Sequence, residues 1–346
     1  MNKKITILGI GAILCVLLFS SVFSVPAKAT TDDGDTKEVC AVYVKDYHGH
    51  APNLDWSDVD AHGKWYGVWP FQYYKNGFYS EMTSRSWTGV FVHGNDLATP
   101  ADFSVAYNNP ATADRSSDIA YFSGHGAYGN RRDINGQMWS YGDIVFGVKE
   151  PGSPDPSPEG GTDYYFSSIT CDARDEDQLG KFDLEWLTVS ACDIFHLADD
   201  GQGHYYPPSW GDNVHTGLHV LNAYSTTSYQ YGYWDLGDCW SRGKRFAVYL
   251  FDEGYQNGYL KKAVGFAWQR ATYDDAHDPW NGAHYSIRGG SMAARCAVYW
   301  DGQFMGYDYY FYQDTIQNPM RDPFDKTSGS IWYFYDGVYY DWYVDG

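Results

Sequence analysis

Two short runs in this sequence end in side chains able to form a nucleophile and its base. The first is Asp118-Ile119-Ala120-Tyr121-Phe122-Ser123-Gly124-His125-Gly126, an apolar run closing on a histidine between two glycines. The second covers residues 184–191 and closes on Cys192, 67 residues after His125. A thiol is a weak nucleophile until it becomes a thiolate, and an adjacent imidazole is the usual means of deprotonating it. If both runs are strands of one parallel sheet, their C-terminal ends project His125 and Cys192 from the same edge, where open α/β folds carry their sites. Gly126 has no side chain, so its N–H can approach a substrate carbonyl. With the Cys192 N–H it would form an oxyanion hole. Taken singly, Gly-His-Gly reads as a turn and a cysteine after an apolar run reads as core; the order and setting of the two give the catalytic reading its weight.

The rest of the chain supplies elements to hold such a pair. Residues 39–44 (Val-Cys-Ala-Val-Tyr-Val) and 87–93 read as strands, as do 118–123, 184–191 and 218–224. A helical turn is expected at 101–107. Residues 241–253 and 259–271 carry apolar residues at helical spacing. Strands alternating with helices or long crossovers predict an α/β fold with a mostly parallel sheet. Residues 151–161 (Pro-Gly-Ser-Pro-Asp-Pro-Ser-Pro-Glu-Gly-Gly) read as a flexible insertion between the two runs. From Tyr299 onward the sequence becomes dense in aromatics and reads as antiparallel β, with Asp336-Gly337 as a hairpin signal between two aromatic runs. The expected organisation is a signal peptide at 1–29, a polar leader at 30–37, the α/β domain at 38–285 and an aromatic-rich β extension at 286–346.

Charge and cysteine content narrow the partners. The formal net charge is −20, and removal of Lys3, Lys4 and Lys28 with the signal peptide would make it −23. Such a surface repels nucleic acid and anionic membranes. The basic start, the apolar run at 5–23 and Ala27-Lys28-Ala29 form a secretory signal pattern with cleavage after Ala29, so the mature protein is expected outside the cell with no membrane span. Export removes Cys15 and leaves Cys40, Cys171, Cys192, Cys239 and Cys296. In an oxidising compartment an odd number leaves at least one thiol; if it is Cys192, the other four can form two disulfides of undetermined connectivity.

The residues Tyr121-Phe122-Ser123-Gly124-His125-Gly126 and Thr188-Val189-Ser190-Ala191-Cys192 resemble the caspase-like cysteine peptidases: caspases, legumains, gingipains, clostripain and their relatives. In those proteins a hydrophobic strand ends in His-Gly and a later one in a small residue followed by Cys. The resemblance covers residues 39–272. It implies a caspase-like sheet flanked by helices, His125 as base and acid, Cys192 as nucleophile, and Gly126 with Cys192 as oxyanion donors. The substrate would be a peptide or protein, with a basic side chain beside the scissile bond favoured by the acidic surface, and no cofactor. Self-processing near Arg174 or in the proline-rich insertion is a further expectation. Two features depart from the pattern. The interval between His125 and Cys192 is long, and Asp193 adds a negative charge that raises a thiol pKa unless it is turned away.

Other chemistries are open to this sequence. A catalytically inactive caspase-like domain would bind protein or glycan at the cell surface through its aromatic tail. A metal hydrolase would use His48, His50 and His62 with Asp46, Asp55 or Asp58. Structural calcium would draw on Asp172, Asp175 and Asp177, or on Asp274, Asp275 and Asp278, although neither set follows an EF-hand pattern. A serine hydrolase built on Gly289-Gly290-Ser291-Met292-Ala293 is excluded, because that scheme needs a histidine after the serine and the last one is His284.

Overall fold

The computed structural model describes residues 37–49, 51–54, 57–68, 71–103, 112–132, 138–147, 165–167, 179–180, 183–196, 217–226, 241–256, 258–276, 289–300, 303–320, 331–335 and 338–341. The expected signal peptide, most of the leader, the 151–161 insertion, Arg174, Cys171 and Cys239 lie outside these residues.

Three apolar runs form the centre of the molecule. Strands β1 (Glu38–Tyr43), β5 (Ile119–Ser123) and β9 (Trp186–Ser190) lie side by side in parallel. Every residue of β5 and β9 is buried, which is why these strands read as near-continuous apolar runs rather than alternating ones. Strand β4 (Thr88–Gly94) flanks β1 in parallel, and β10 (Val220–Tyr224) flanks β9 in parallel. Two antiparallel strands, β13 (Gly289–Ala293) and β17 (Val338–Asp341), complete a seven-stranded sheet of order β17-β13-β10-β9-β5-β1-β4. The protein is thus mixed α/β with a mostly parallel sheet, as its sequence pattern predicts.

Helices α1 (Ser57–Ala61), α2 (Phe78–Ser84), α4 (Arg242–Tyr249) and α5 (Val264–Ala276) pack along one face of the sheet; the short α3 (Ala113–Ser116) precedes β5. Phe78 and Phe246 stack against Tyr121 of β5, with ring centroids 4.7 and 6.4 Å away. Trp268 meets Tyr224 of β10 at 5.1 Å. Such pairs contribute about 0.5–1.5 kcal/mol each beyond their buried area. Phe103, Phe122 and Phe146 form the core on the opposite face. The helical turn expected at 101–107 is a 3₁₀ turn, Pro100–Asp102; residues 104–107 lie outside the described set. The helix expected from 259 begins at Val264, because Tyr259–Leu260 (β12) pairs with Tyr255–Gln256 (β11).

Smaller sheets surround this body. Strands β2 (Gly63–Val68) and β3 (Phe71–Asn76) form a hairpin. Strands β6 (Gly126–Arg132), β7 (Met138–Val145) and β8 (Tyr165–Ser167) form an antiparallel sheet that starts at the residue after His125. Strands β14 (Arg295–Trp300), β15 (Gln303–Tyr309) and β16 (Ile331–Tyr335) form another, followed from β15 by α6 (Tyr310–Gln313).

The aromatic tail corrects one expectation. The runs on either side of Asp336-Gly337 are not the arms of a hairpin. β16 pairs with β14 and β17 pairs with β13. Cys296 faces Tyr335 and Ala293 faces Val338, so one antiparallel register runs through both sheets. A single ribbon therefore leaves the main sheet at Ala294 and continues into the smaller one. A local Asp-Gly signal cannot reveal that the partner strand lies more than thirty residues away in sequence.

Cys40 and Cys296, two of the four cysteines able to form disulfides, are buried thiols here, while Cys171 and Cys239 lie outside the described residues. Cys40 sits in the middle of β1, where the Ser117 hydroxyl donates to its sulfur at 3.2 Å. Burial pushes its pKa up to about 12, and that of Cys296 likewise. Both behave as core side chains.

Candidate active site

The register between β5 and β9 fixes the relation between the two proposed catalytic residues. Ser123 and Ser190, the last residues of the two strands, are partners in the parallel ladder. His125 and Cys192 each lie two residues beyond that pair. Adjacent strands are about 4.8 Å apart, so both emerge from neighbouring points on the C-terminal edge. The Gly124 N–H donates to the Ser190 carbonyl at 3.3 Å, which continues the pairing past the strands.

Beyond the edge the two chains remain packed backbone on backbone. A Cβ on Gly126 would collide with the carbonyl oxygen of Cys192, and one on Gly142 with the backbone of Ile194. The β6–β7 hairpin therefore rests on the turn that follows Cys192. Close approach gives Gly126 a structural reason to be glycine, independent of any oxyanion role.

Loop 45–54 orients the imidazole. His125 Nε2 lies 2.7 Å from the Pro52 carbonyl oxygen. A carbonyl can only accept, so Nε2 carries the proton and donates, and Nδ1 is left as the basic nitrogen. Burial lowers the His125 pKa below its usual 6.5, an effect partly offset by the bond to Pro52; the ring is neutral at neutral pH. On its other side lies Tyr47, its ring centroid 4.7 Å from that of His125. The Tyr47 hydroxyl accepts the His125 backbone N–H at 2.6 Å. Tyr47 is wholly buried, and its pKa is raised, chiefly by that burial. The loop is itself pinned: the Tyr47 N–H donates to Asn53 Oδ1 at 3.1 Å, and the Lys45 and Asp46 N–H groups donate to Asn95 Oδ1 at 2.9 and 3.0 Å.

Asp193 has a conformational task. Its φ is +56°, in the left-handed region where Asp is among the residues tolerated best after glycine. It turns the chain sharply after Cys192, and the Asp193 and Phe195 N–H groups donate to the Thr226 and Tyr224 carbonyls at 3.1 and 2.9 Å. Its carboxylate lies 3.8 Å from His196 Nδ1, and the His196 ring stacks on Tyr128 at 3.9 Å.

Beneath the edge a buried polar network holds both strand ends. Asp60 of α1 accepts from the Tyr121 hydroxyl at 2.8 Å, the Ser123 hydroxyl at 3.2 Å and the Gly243 N–H at 2.7 Å. Arg242, the first residue of α4, donates to the Ser190 hydroxyl at 3.4 Å and, through Nε and Nη2, to Asp275 at 3.0 and 2.5 Å. Its guanidinium lies 4.7 Å from the centroid of the Tyr224 ring. Single charges buried this deeply would be costly, and pairing removes most of that cost.

The alternative sites gain no comparable geometry. His48 pairs with Asp96 at 2.7 Å, and His62 packs edge-on against Tyr79; Asp58 lies 3.9 Å from Lys45. His50 and Asp55 fall outside the described residues. Among the described residues no three His, Cys, Asp or Glu side chains are grouped to hold a metal ion. Of the calcium candidates, Asp274 accepts the Tyr249 hydroxyl and Asp275 is engaged by Arg242, while Asp172, Asp175, Asp177 and Asp278 are outside the described set. Ser291 is a buried mid-strand residue whose hydroxyl donates to Asn222 at 2.7 Å, not a residue at a turn. No described helix is long and apolar enough to cross a membrane.

Sequence reasoning did not find Tyr47, Pro52, Asn53 or the Asp60–Arg242 network. Tyr47 stood beside histidines that drew attention as metal ligands. Pro52 acts through a carbonyl, which every residue type possesses.

Residues 69–309 match the model of a protein family described as a domain of unknown function, DUF6345, and the chain belongs to that family. No curated protein and no solved structure matches it.

Proposed function

We propose that this protein is a secreted cysteine endopeptidase of caspase-like architecture, with His125 and Cys192 as its dyad. The observation that carries the reading is the Ser123–Ser190 register pair, beyond which His125 and Cys192 each follow by two residues at the ends of adjacent parallel strands. In this scheme the His125 Nδ1 accepts the Cys192 thiol proton. The thiolate attacks a peptide carbonyl, forming an S–C bond, while N–H groups of Gly126 and Cys192 receive the oxyanion. The imidazolium returns its proton to the leaving amine as the C–N bond breaks. Water then enters with His125 as base and releases the acyl group, restoring the thiol. The substrate is a peptide or protein, with basic side chains favoured by the acidic chain, and no cofactor takes part.

The test is digestion of an unstructured protein and of a mixed peptide library by the secreted chain, with Cys192→Ala and His125→Ala as controls. Fragments formed by the wild type and lost in both variants support the reading; fragments formed equally by all three trace to a contaminant.

A second reading is favoured by the aromatic surface. Trp300, Phe304, Met305 and Tyr307 are all exposed on β14 and β15, and Arg295 lies over the Tyr307 ring at 4.8 Å. An inactive domain binding protein or glycan would use this face. It predicts binding that Phe304→Ala and Tyr307→Ala abolish and Cys192→Ala leaves intact.

A further inference from the structure

One register row crosses four parallel strands at the C-terminal edge. Gly94 of β4 faces Tyr43 of β1, Tyr43 faces Ser123 of β5, and Ser123 faces Ser190 of β9. His125 and Cys192 follow two residues beyond this row, and Asn95 is the first residue beyond it on β4. Asn95 has no part in the scheme above. Its φ is +51°, in the left-handed region that asparagine tolerates better than most residues. It opens a 3₁₀ turn, Asn95–Leu97, closed by the Ala98 N–H donating to its carbonyl at 2.9 Å. In that conformation Oδ1 accepts two successive N–H groups, those of Lys45 at 2.9 Å and Asp46 at 3.0 Å, which uses both of its lone pairs. Tyr47 comes next in the chain, and its hydroxyl accepts the His125 N–H at 2.6 Å. That approach needs Gly124, where a Cβ would lie 2.7 Å from Tyr47 Oη. The Tyr47 N–H donates to Asn53, the neighbour of Pro52, whose carbonyl takes the His125 Nε2 proton. The Leu54 N–H donates to the Lys45 carbonyl at 2.8 Å, so the loop closes on the residue that Asn95 holds. The second tie from this turn, Asp96 to His48, is exposed on both sides and contributes little.

We propose that Asn95 is a positioning residue for His125: its amide oxygen fixes the start of the loop whose Tyr47 hydroxyl and Pro52 carbonyl set the main chain and the ring of that histidine. This rests on the cysteine-peptidase reading and deepens it. Asn95 acts through the loop and not on the reacting atoms. Two properties suit it to the task, a backbone at ease with positive φ and a side-chain oxygen free to accept. Aspartate has both. Glycine keeps the first and lacks the second.

The experiment measures two quantities on the intact folded protein: the rate of Cys192 alkylation by iodoacetamide across pH, and the titration of the His125 ring by NMR. The chains are wild type, Asn95→Gly, Asn95→Asp and His125→Ala. Asn95→Gly is expected to lower the alkylation plateau by about tenfold, within what a misplacement of about 1 Å costs. Its His125 titration should move up toward 6.5, because burial is the larger influence holding it lower. Asn95→Asp should restore most of the rate. A merely structural residue would change the melting temperature and leave both quantities at wild-type values; that result overturns the proposal, as does an equal loss of rate in the Gly and Asp variants. Should Asn95→Gly not fold, native-state hydrogen exchange of the wild type decides. Lys45, Asp46 and His125 amides that open as one unit support the proposal, and a His125 amide that stays protected while the other two exchange freely overturns it. The dyad is judged separately: coincident wild-type and His125→Ala alkylation profiles sink the peptidase reading, while the His125 titration in Asn95→Gly still decides whether Asn95 sets the imidazole.

Discussion

At the N-terminal edge of the main sheet, buried carboxylates tie the strands together. Asp118 accepts the Lys37 and Glu38 N–H groups at 2.7 and 2.6 Å, joining β1 to the start of β5. Asp314 accepts from Trp186 Nε1 at 2.5 Å, His219 Nδ1 at 3.0 Å and the Met320 N–H at 2.7 Å, fastening the segment after α6 to β9 and to the residue before β10. At the opposite edge the strand ends carry an imidazole, a thiol and a phenol, with the charged groups set one layer deeper in the Asp60–Arg242 network. The difference teaches that a buried His–Asp pair is not by itself a sign of chemistry. His219 and Asp314 are both fully enclosed and serve as a fastening. His125 is partly exposed and takes a backbone carbonyl as the partner of its Nε2, which leaves Nδ1 as the basic nitrogen.

Substitutions at the two edges should therefore separate activity from stability. The largest effect is expected from Cys192→Ala, a loss of about a thousandfold or more in peptide cleavage with the melting temperature nearly unchanged. Asp314→Ala should do the reverse, leaving the buried Trp186 and His219 donors and the partly buried Met320 N–H without their acceptor. It should cost about 3–5 kcal/mol in denaturant unfolding, while the folded fraction keeps its Cys192 reactivity. A variant at either edge that lowers both equally would break the division.

A pair of glycines sharpens it further. Gly126→Ala and Gly142→Ala both force a methyl into the turn after Cys192, and each should cost about 1–3 kcal/mol of stability. The Gly126 substitution disturbs the residue next to His125 and should reduce Cys192 alkylation about tenfold more than its counterpart; equal losses would place the turn, not the histidine, in control.

The smallest effects are in pH dependence. In the proposed scheme neutral His125 is the active form, and burial lowers its pKa, so the acid limb of Cys192 reactivity should lie below pH 6.5. A limb above that value would mean a charged imidazole. Glu185, at the other edge, has its pKa raised well above 4.5, chiefly by burial. A carboxyl whose folded pKa is raised binds its proton more tightly in the native state. Its contribution is complete below the unfolded value and is lost as pH rises through the folded one. Glu185→Gln should flatten the decline of stability above pH 4.5, as read by denaturant melts across pH; an unchanged slope would assign that decline elsewhere.

The parts of this arrangement that could be read in the sequence are those encoded locally. β1, β5, β9 and β10 announce themselves because both faces of each are covered, giving short apolar runs, and His125 and Cys192 follow two of them directly. The ribbon of β13–β14 with β16–β17 was hidden because its register depends on residues far apart, and Asp336-Gly337 offered a misleading local signal. The orienting loop was hidden for a different reason. Pro52 contributes a main-chain oxygen, and Tyr47 matters through one hydroxyl in a chain with 33 tyrosines. Asp193 looked like a charge problem beside a nucleophile; its positive φ gives it a conformational role that no charge count could suggest.

The central claim is that the paired strand ends make Cys192 a nucleophile dependent on His125. The most direct measurement is treatment of the intact protein with a mixture of peptidyl electrophiles bearing basic, acidic and amide side chains, with the modified residue located by mass spectrometry. The account predicts one adduct per chain, on Cys192, formed faster than with a simple alkylating agent and nearly lost in His125→Ala. Labelling of Cys192 at the same rate in wild type and His125→Ala, with no preference for a peptidyl reagent, would contradict it.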